Sequence, residues 1–163
     1  MAAQSDILFR LVYASQVHPA CLRHVELTLC DIQALAIPNN RAMGVTSLLL
    51  AHRGWFIQLI EGPEDGARRA FNAIRADGRH RTVRLMIEEA APGLLPDLAL
   101  GVRVLSRADT AVLRGFDAVD GFDPTVLSNR ALLRLMAVVS EAHGDRLAAQ
   151  QRMAVRATMA SCA

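Results

Sequence analysis

Two apolar runs on either side of a short polar link form the clearest pattern in the chain. Residues 44–62 read GVTSLLLAHRGWFIQLIEG, and the link between the runs is Ala51-His52-Arg53-Gly54. A short polar link that contains glycine, placed between two apolar runs, predicts a β-hairpin. Both runs are apolar at nearly every position, so we expect both faces of the sheet to be covered.

Gln58 is the exception within the second run. Side chains alternate along a strand, so Phe56 and Ile60 are its neighbours on the same face. A primary amide has two donor hydrogens and two acceptor lone pairs, and leaving them unpaired in apolar surroundings costs on the order of 1–3 kcal/mol. Gln58 therefore either bonds to nearby backbone or meets a bound polar group.

The segment before the hairpin contains one predicted strand and one predicted helix. The strand covers Ile7–Ala14, which is short, apolar and rich in residues that favour β structure. The helix begins near Thr28 as its N-cap and closes at Pro38, because proline disfavours helical geometry in the preceding residue. Asn39 and Asn40 then suit a helix exit, since asparagine tolerates the left-handed conformation.

The segment after the hairpin contains one predicted helix and two predicted strands. Gly62-Pro63-Glu64 opens a second helix that ends at about Arg75, and two further strands cover Val83–Glu88 and Leu98–Leu105. The order βαββαββ predicts an α+β fold of the ferredoxin-like type with one added strand. Two helices should pack on one face of its sheet.

The chain changes character after residue 105. We divide it into a domain over residues 1–105 and a helical extension over residues 106–163. Asp123-Pro124 opens a long helix through about Ala142, Gly144 breaks it, and Asp145–Met159 forms a last amphipathic helix. These helices, or a partner subunit, should cover the sheet face that the first two helices leave open.

Composition narrows the class of protein. The 163 residues are 52% hydrophobic and 21% charged, which is typical of a compact globular chain. All 18 basic residues are arginine, and their scatter together with a net charge of +2 gives no nucleic-acid footprint. The cysteines and histidines show no metal-ligand or redox spacing. Without a signal peptide or a run of about 20 apolar residues, we expect a soluble cytoplasmic protein with no membrane contact.

Several motifs in register resemble the BLUF family, the flavin-binding sensors of blue light. They are LVYAS at 11–15, NNRAMGVTSLLL at 39–50, GWFIQLIEGPEDGARRAFNAIRADGRH at 54–80 and PDLALGV at 96–102. Together they span about residues 7–105 in the family's order and spacing. Taken singly, Tyr13 fits an ordinary strand tyrosine and Asn39-Asn40 a helix exit. Their joint occurrence favours the flavin site.

The resemblance implies a role for particular positions. Tyr13 matches the tyrosine that donates an electron to the excited flavin, and Gln58 matches the glutamine between that tyrosine and the flavin. Asn40 matches the asparagine bonded to the ring. The full set of cofactor positions implied is Tyr13, Ile32, Asn39, Asn40, Leu49, Phe56, Gln58, Arg79 and His80. Asparagine and glutamine suit the polar edge of a flavin because they offer donors and acceptors without burying a charge.

The chain departs from the family pattern at three places. Leu98 and Leu100 stand where the family usually has the tryptophan and methionine of W-x-M-G, on the strand that passes the glutamine's rearrangement outward. Ser47 replaces the glycine of Ile-Thr-Gly, and Pro38 is unusual at the end of the first helix. We therefore expect photochemistry to be retained, whereas signal output depends on how Leu98 and Leu100 act.

The resemblance implies a receptor rather than an enzyme, with FAD as the cofactor and FMN as a possible substitute. It would signal to a downstream protein, of the regulator or phosphodiesterase class in related proteins, and act as a homo-oligomer. A light-insensitive member of the family that serves as an interaction or ligand-binding module is the alternative. Tyr13 and Phe56 could also stack nucleic-acid bases, but basic side chains do not surround them on the predicted sheet face. An acylphosphatase-like hydrolase lacks a phosphate-binding loop after the first strand.

Overall fold

The computed structural model describes residues 7–96, 99–105 and 121–144, together with Leu113 and Phe116. The strands are β1 (Ile7–Val17), β2 (Thr46–His52), β3 (Trp55–Gly62), β4 (His80–Pro92) and β5 (Gly101–Val104). The helices are α1 (Pro19–Leu22), α2 (Val25–Ala42), α3 (Glu64–Ala76) and α4 (residues 129–144). A 3-10 turn covers Pro124–Val126.

The strands form one five-stranded sheet in the order β4-β1-β3-β2-β5. All neighbouring strands are antiparallel except β2 and β5, which run parallel. The predicted hairpin is β2 and β3, and its two turn residues, Arg53 and Gly54, have φ angles of 45° and 79°. Such a turn matches the right-handed twist of the strands. The predicted ferredoxin-like α+β fold with an added strand is confirmed.

The first and fourth strands are longer than their apolar runs. β1 and β4 pair from Ile7 with Pro92 to Val17 with His80, with two register irregularities between. Polar residues such as Gln16 and Arg81 join the strands because backbone pairing does not require apolar side chains. The sheet therefore reaches His80, three residues before the predicted start of this strand at Val83.

Helices cover the two faces of the sheet differently. α2 and α3 pack on one face, as predicted. On the other face, α4 buries four side chains completely, and burying each is worth about 1.5–3 kcal/mol. The α4 residues are Leu132, Leu135, Met136 and Val139, and they share a core with Val12, Ala14, Leu48, Leu50, Ile57 and Leu59. The expectation that a C-terminal helix covers the open face is confirmed.

The predicted limits of the first long helix were wrong at both ends. Thr28 is already inside α2, because its backbone N–H donates to the carbonyl of His24 at 3.0 Å. Pro38 lies within the helix, which continues to Ala42 despite the backbone hydrogen bond that proline cannot make. Asn39 and Asn40 occupy its last turn, and Gly44, with φ of 64°, makes the left-handed exit instead. Contacts of α2 with the sheet outweigh the local preference of proline.

The predicted limits also differ in the C-terminal part. The fifth strand is shorter than Leu98–Leu105: Leu98 lies outside the described residues, and Leu100 precedes β5. Asp123 caps only the short 3-10 turn, because Leu127 takes an extended conformation after it.

α4 then begins after Ser128, whose Oγ accepts from the Ala131 N–H at 3.2 Å. Gly144 is still helical, and the predicted helix over Asp145–Met159 lies outside the described residues. Within the described ranges, no helix has the length and apolar character needed to cross a bilayer.

Candidate functional site

A cavity of about 310 Å³ opens between α2 and α3, with β3 behind it. Small side chains on the two helices, Ala36, Ala70 and Ala73, leave space where larger residues would close the gap. The cavity is lined by Ile32, Leu35, Ala36, Asn39, Asn40, Met43, Gln58, Ile60, Ala70, Ala73, Ile74, Asp77, Arg79 and His80. Its walls are mostly apolar, with polar groups contributed by α2, β3 and the segment after α3.

Tyr13 and Gln58 meet behind this cavity. They are register partners on the antiparallel strands β1 and β3, so their side chains point to the same side of the sheet. The Tyr13 hydroxyl donates a hydrogen bond of 2.7 Å to Oε1 of Gln58. Gln58 lines the cavity, whereas Tyr13 does not. The amide therefore stands between the phenol and the space in the cavity.

Tyr13 is completely buried. The ring centroids of Phe71 and His80 lie 5.7 Å and 5.9 Å from its own. Burial, with a smaller contribution from the Asp77 carboxylate, raises the pKa of Tyr13 well above its ordinary value of 10. The phenol is therefore neutral at physiological pH and holds a proton that its hydrogen bond directs to Gln58.

Asn40, at the last turn of α2, is buried and tied to two other elements. Its Nδ2 lies 3.1 Å from Oγ of Ser47 on β2 and 2.7 Å from the carbonyl oxygen of Ala99, just before β5. Asn39 next to it is exposed, and its Nδ2 donates to the Leu35 carbonyl at 3.0 Å. The two asparagines thus differ: one is held inside the fold and the other lies at the cavity rim.

The segment after α3 contributes an ion pair and a buried histidine. Arg79 contacts the Asp77 carboxylate through Nε and Nη2, the shortest distance being 2.6 Å. Burial alone would raise the pKa of Asp77, but the hydrogen bonds from Arg79 outweigh it and the pKa is lowered. His80 lies with Nδ1 2.9 Å from Oγ of Ser15, and burial lowers its pKa from 6.5 to about 4. His80 is therefore neutral at physiological pH.

The structure brings most of the predicted site residues to the cavity or directly behind it. Ile32, Asn39, Asn40, Gln58, Arg79 and His80 line it. Tyr13, Leu49 and Phe56 are completely buried behind the lining. Phe56 contacts the His80 ring at a centroid distance of 4.9 Å, and Leu49 is the register partner of Gln58 on β2. Leu100 packs in the same core cluster as Leu49 and Phe56.

Sequence reasoning predicted Ile32 but missed the other apolar residues of the lining. Leu35, Ala36, Met43, Ile60, Ala70, Ala73 and Ile74 line the cavity without having been assigned to a site. A helix stripe that faces a sheet has the same periodicity whether it packs directly or borders a cleft. One feature of the sequence could have indicated the cleft, namely the small size of some side chains. Alanines occur at positions 36, 70 and 73, on the apolar stripes of α2 and α3 that face each other.

The lining suits a flat aromatic cofactor with one polar edge. The volume of about 310 Å³ lies within the range of small-molecule sites. Apolar side chains from both helices can cover the faces of a ring, while Asn40 and Gln58 offer amide donors and acceptors at its edge. The fold and site together define the class of protein: an α+β domain with a mostly apolar cavity, bordered by amide side chains, between two helices packed on a sheet.

The chain belongs to the BLUF family. Residues 8–93, more than half of the 163, match the family described as sensors of blue light using FAD. Domains of this family are sensor modules rather than catalysts, and FAD is their cofactor.

Sequence relatives agree with this assignment, and solved structures share the fold. A photoactivated adenylate cyclase subunit alpha-like protein FB of Euglena gracilis is 36% identical over 84 residues, which are 51% of this chain and 8% of that protein. The chain thus spans a small part of the curated relatives that it matches. The structure titled BlsA photo-activated state has a TM-score of 0.70 at 20% identity, covering 81% of this chain and 95% of that chain.

Klebsiella pneumoniae BlrP1, whose structure contains FMN and cyclic diGMP, has a TM-score of 0.56 at 25% identity. The match covers 82% of this chain and 35% of that chain.

Proposed function

We propose that this chain is a blue-light photoreceptor in which Tyr13 and Gln58 form the light-driven switch. One observation carries the proposal: the fully buried Tyr13 hydroxyl donates at 2.7 Å to Gln58, and Gln58 borders the cavity. This arrangement gives a proton donor, a polar relay and a binding space in that order.

The residues that would hold the flavin come from three sides of the cavity. Ile32 of α2 supports one ring face, and Asn40 and Gln58 bond to the polar edge. Arg79 and His80 close the end after α3, where the ion pair with Asp77 holds the Arg79 side chain. Asn39 lies at the rim, and Leu49 and Phe56 support Gln58 and His80 from behind. FAD is the family's cofactor, and FMN is a substitute because the ring is the same.

When bound, the flavin supplies absorption of blue light and an excited ring that accepts one electron. Tyr13 is the electron donor, and the raised pKa of its phenol keeps the proton in place until the electron leaves. The hydrogen bond to Oε1 of Gln58 would direct the proton that the phenol releases, and the Gln58 amide would relay a proton onward to the cavity side, so that the proton follows the electron. Gln58 responds by exchanging which end of its amide faces Tyr13, because either end can bond to a hydroxyl.

The structural change that light causes at Gln58 is proposed to pass toward β5 and from there to the protein surface. Leu49, next to Gln58 in register, shares a core cluster with Leu100. Leu98 and Leu100 are the signalling positions by resemblance, and neither can reproduce the polar contacts of tryptophan. The receiver is proposed to be a downstream protein of the regulator or phosphodiesterase class, and the cyclase name and the bound cyclic diGMP of the relatives named above support an effector of cyclic-nucleotide chemistry. We also propose that the chain forms a homo-oligomer. Within each chain, residues 1–105 would form the sensor domain and residues 106–163 the helical extension.

An absorption spectrum of the purified protein, reconstituted with FAD and recorded before and after blue light, tests the proposal. We expect a flavin spectrum that shifts to the red and relaxes in the dark. A bound flavin whose spectrum does not move would contradict the switch and favour the light-insensitive module. Protein that retains no flavin would contradict both.

A further inference from the structure

The exposed side of α2 is apolar, whereas the exposed side of α3 is charged. On α3, Arg68 pairs with Glu64, as is usual on a helix face in contact with water. On α2, the exposed side carries an outer row of small or apolar residues, which are Leu27, Cys30, Ala34, Leu35 and Pro38. Leu27 is 65% exposed and Leu35 is 61% exposed. A helix that is apolar on its inner and outer sides is normally buried, so the outer row has the character of an interface.

The outer row is continuous along the helix. Its residues at positions 27, 30, 34 and 38 follow at intervals of three or four, which keeps them on one side of a helix with about 3.6 residues per turn. Asp31 is exposed within the row. Hydrogen bonds to Asp77 raise the pKa of Arg79 most, and the Asp31 carboxylate contributes to the same rise. The charge of Asp31 is therefore partly balanced within its own chain.

Opposite charges mark the two ends of the outer row. Glu26 lies in the first turn of α2 and Arg41 in the last, and both side chains are exposed. They are separated by about 22 Å along the helix axis and by about 60° around it. Glu26 and Arg41 are thus too far apart to pair within one helix, yet they lie on nearly the same side of it.

We propose that α2 packs antiparallel against α2 of a second copy of this chain, with the outer rows in contact. A two-fold axis then brings the first turn of each helix beside the last turn of the other, so Glu26 of each copy pairs with Arg41 of the other. A parallel arrangement would place like charges together. The charges favour a second copy as the occupant, because one surface supplies both halves of each ion pair. This interface rests on the proposed homo-oligomer and deepens it, and it does not require bound flavin.

The axis of the proposed dimer passes beside Ala34, midway between the two charged residues. Ala34 is exposed, and its small side chain allows the helices to approach to the distance of about 8–10 Å that is usual for packed helices. Leu27 of one copy then lies near Pro38 of the other. Leu35 belongs to the outer row and also lines the cavity, so the interface adjoins the cavity wall.

Sedimentation equilibrium of the full-length chain tests the interface. We expect the wild-type protein to be a dimer. Leu27→Glu should raise its dissociation constant by roughly tenfold or more, because a charge replaces an apolar side chain in the contact. Ile7→Glu is the matched control, since Ile7 is also 65% exposed but lies on β1, outside the outer row. The control should leave the dissociation constant unchanged.

A charge exchange tests the antiparallel arrangement. Glu26→Arg and Arg41→Glu should each weaken the dimer by roughly three- to tenfold, because each places like charges together at both ends of the contact. The double variant should restore the wild-type dissociation constant. Both changes oppose the helix macrodipole, so their effects on α2 itself would add and could not produce this recovery.

A disulfide locates the axis. In a chain carrying Cys21→Ser, Cys30→Ser and Cys162→Ser, addition of Ala34→Cys should give an oxidised, covalent dimer, because residues at the axis approach within the Cα separation of a disulfide. The chain that keeps Cys30 alone should not cross-link, because its two copies would lie about 10 Å apart along the helices.

A monomeric wild-type chain would overturn the inference, as would a dimer that Leu27→Glu leaves intact or a double charge variant in which the losses add. Absorption spectra of the same samples separate this result from the proposed photoreceptor. A monomer with a normal red shift would overturn the interface alone. A dimer that responds to these variants but shows no red shift would support the interface and overturn the photoreceptor.

Discussion

Gln58 separates Tyr13 from the cavity. The two residues are partners in the β1–β3 register, their side chains are joined by a hydrogen bond of 2.7 Å, and only Gln58 lines the space. A change at Gln58 on the cavity wall therefore reaches the Tyr13 hydroxyl directly, and a proton leaving the phenol reaches the amide first.

Replacement of Tyr13 by phenylalanine should abolish the light-induced red shift while flavin binding is retained. Tyr13 is the only tyrosine in the chain, so no second phenol can substitute for it. Difference absorption spectra after blue light measure the effect. Trp55→Phe is the control, since it removes the only tryptophan, on the other face of the sheet, and should keep the shift. A normal shift in Tyr13→Phe would remove Tyr13 from the switch.

Replacement of Asn40 by alanine should weaken flavin binding by about 0.5–1.5 kcal/mol, the worth of one hydrogen bond. The dissociation constant from a fluorescence titration measures this change. Asn39→Ala is the matched comparison, and its effect should be smaller because Asn39 is exposed and its amide bonds to the backbone. Unchanged affinity in Asn40→Ala would contradict the assigned contact.

The protein should lose stability as the pH falls from about 6.5 toward 4. Burial lowers the pKa of His80 from 6.5 to about 4, so in that window the unfolded chain binds the proton more readily than the folded one. The loss is on the order of 1–3 kcal/mol.

Urea unfolding at pH 7.5 and pH 4.5 measures the difference in the free energy of unfolding. His80→Gln should flatten this dependence, because glutamine does not titrate. The exposed His24→Gln should keep it. An equally steep dependence in His80→Gln would show that other groups cause it.

Replacement of Glu61 by glutamine should destabilise the fold by about 3–5 kcal/mol, the usual cost of breaking a buried ion pair. Glu61 is fully buried, lies 2.7 Å from Nε of Arg10, and accepts at 2.9 Å from the backbone N–H groups of Leu94 and Leu95. The change leaves Arg10 without its closest charge and loosens the chain after β4.

Chemical denaturation at neutral pH measures this loss. Glu64→Gln is the matched control, since Glu64 forms an exposed pair with Arg68 and should cost at most about 1 kcal/mol. Similar losses in the two variants would contradict the role of burial.

The local elements of this fold could be predicted from the sequence. The β2–β3 hairpin follows from two apolar runs and an Arg53-Gly54 turn, and α3 follows from Pro63, the acidic first turn and one apolar stripe. These signals act between residues close in the chain. The same local reasoning failed at Pro38, because packing of α2 on the sheet outweighs one missing backbone bond.

Tyr13, Gln58 and Asn40 could be proposed for the site because their spacing resembles that of a family. The sequence alone thus determined the order of the strands and of the main helices, the hairpin and the chemical types available to a cofactor.

Only the tertiary structure decided which of these groups meet. Tyr13 and Gln58 are 45 residues apart, and Asn40 and Ala99 are 59 apart, so their contacts depend on sheet register and on helix packing. The cavity depends on where alanines of α2 and α3 face each other, which periodicity does not distinguish from a packed core. The direction of the Asn40 amide depends on the Ala99 carbonyl, which meets it only after the segment before β5 has been placed beside α2.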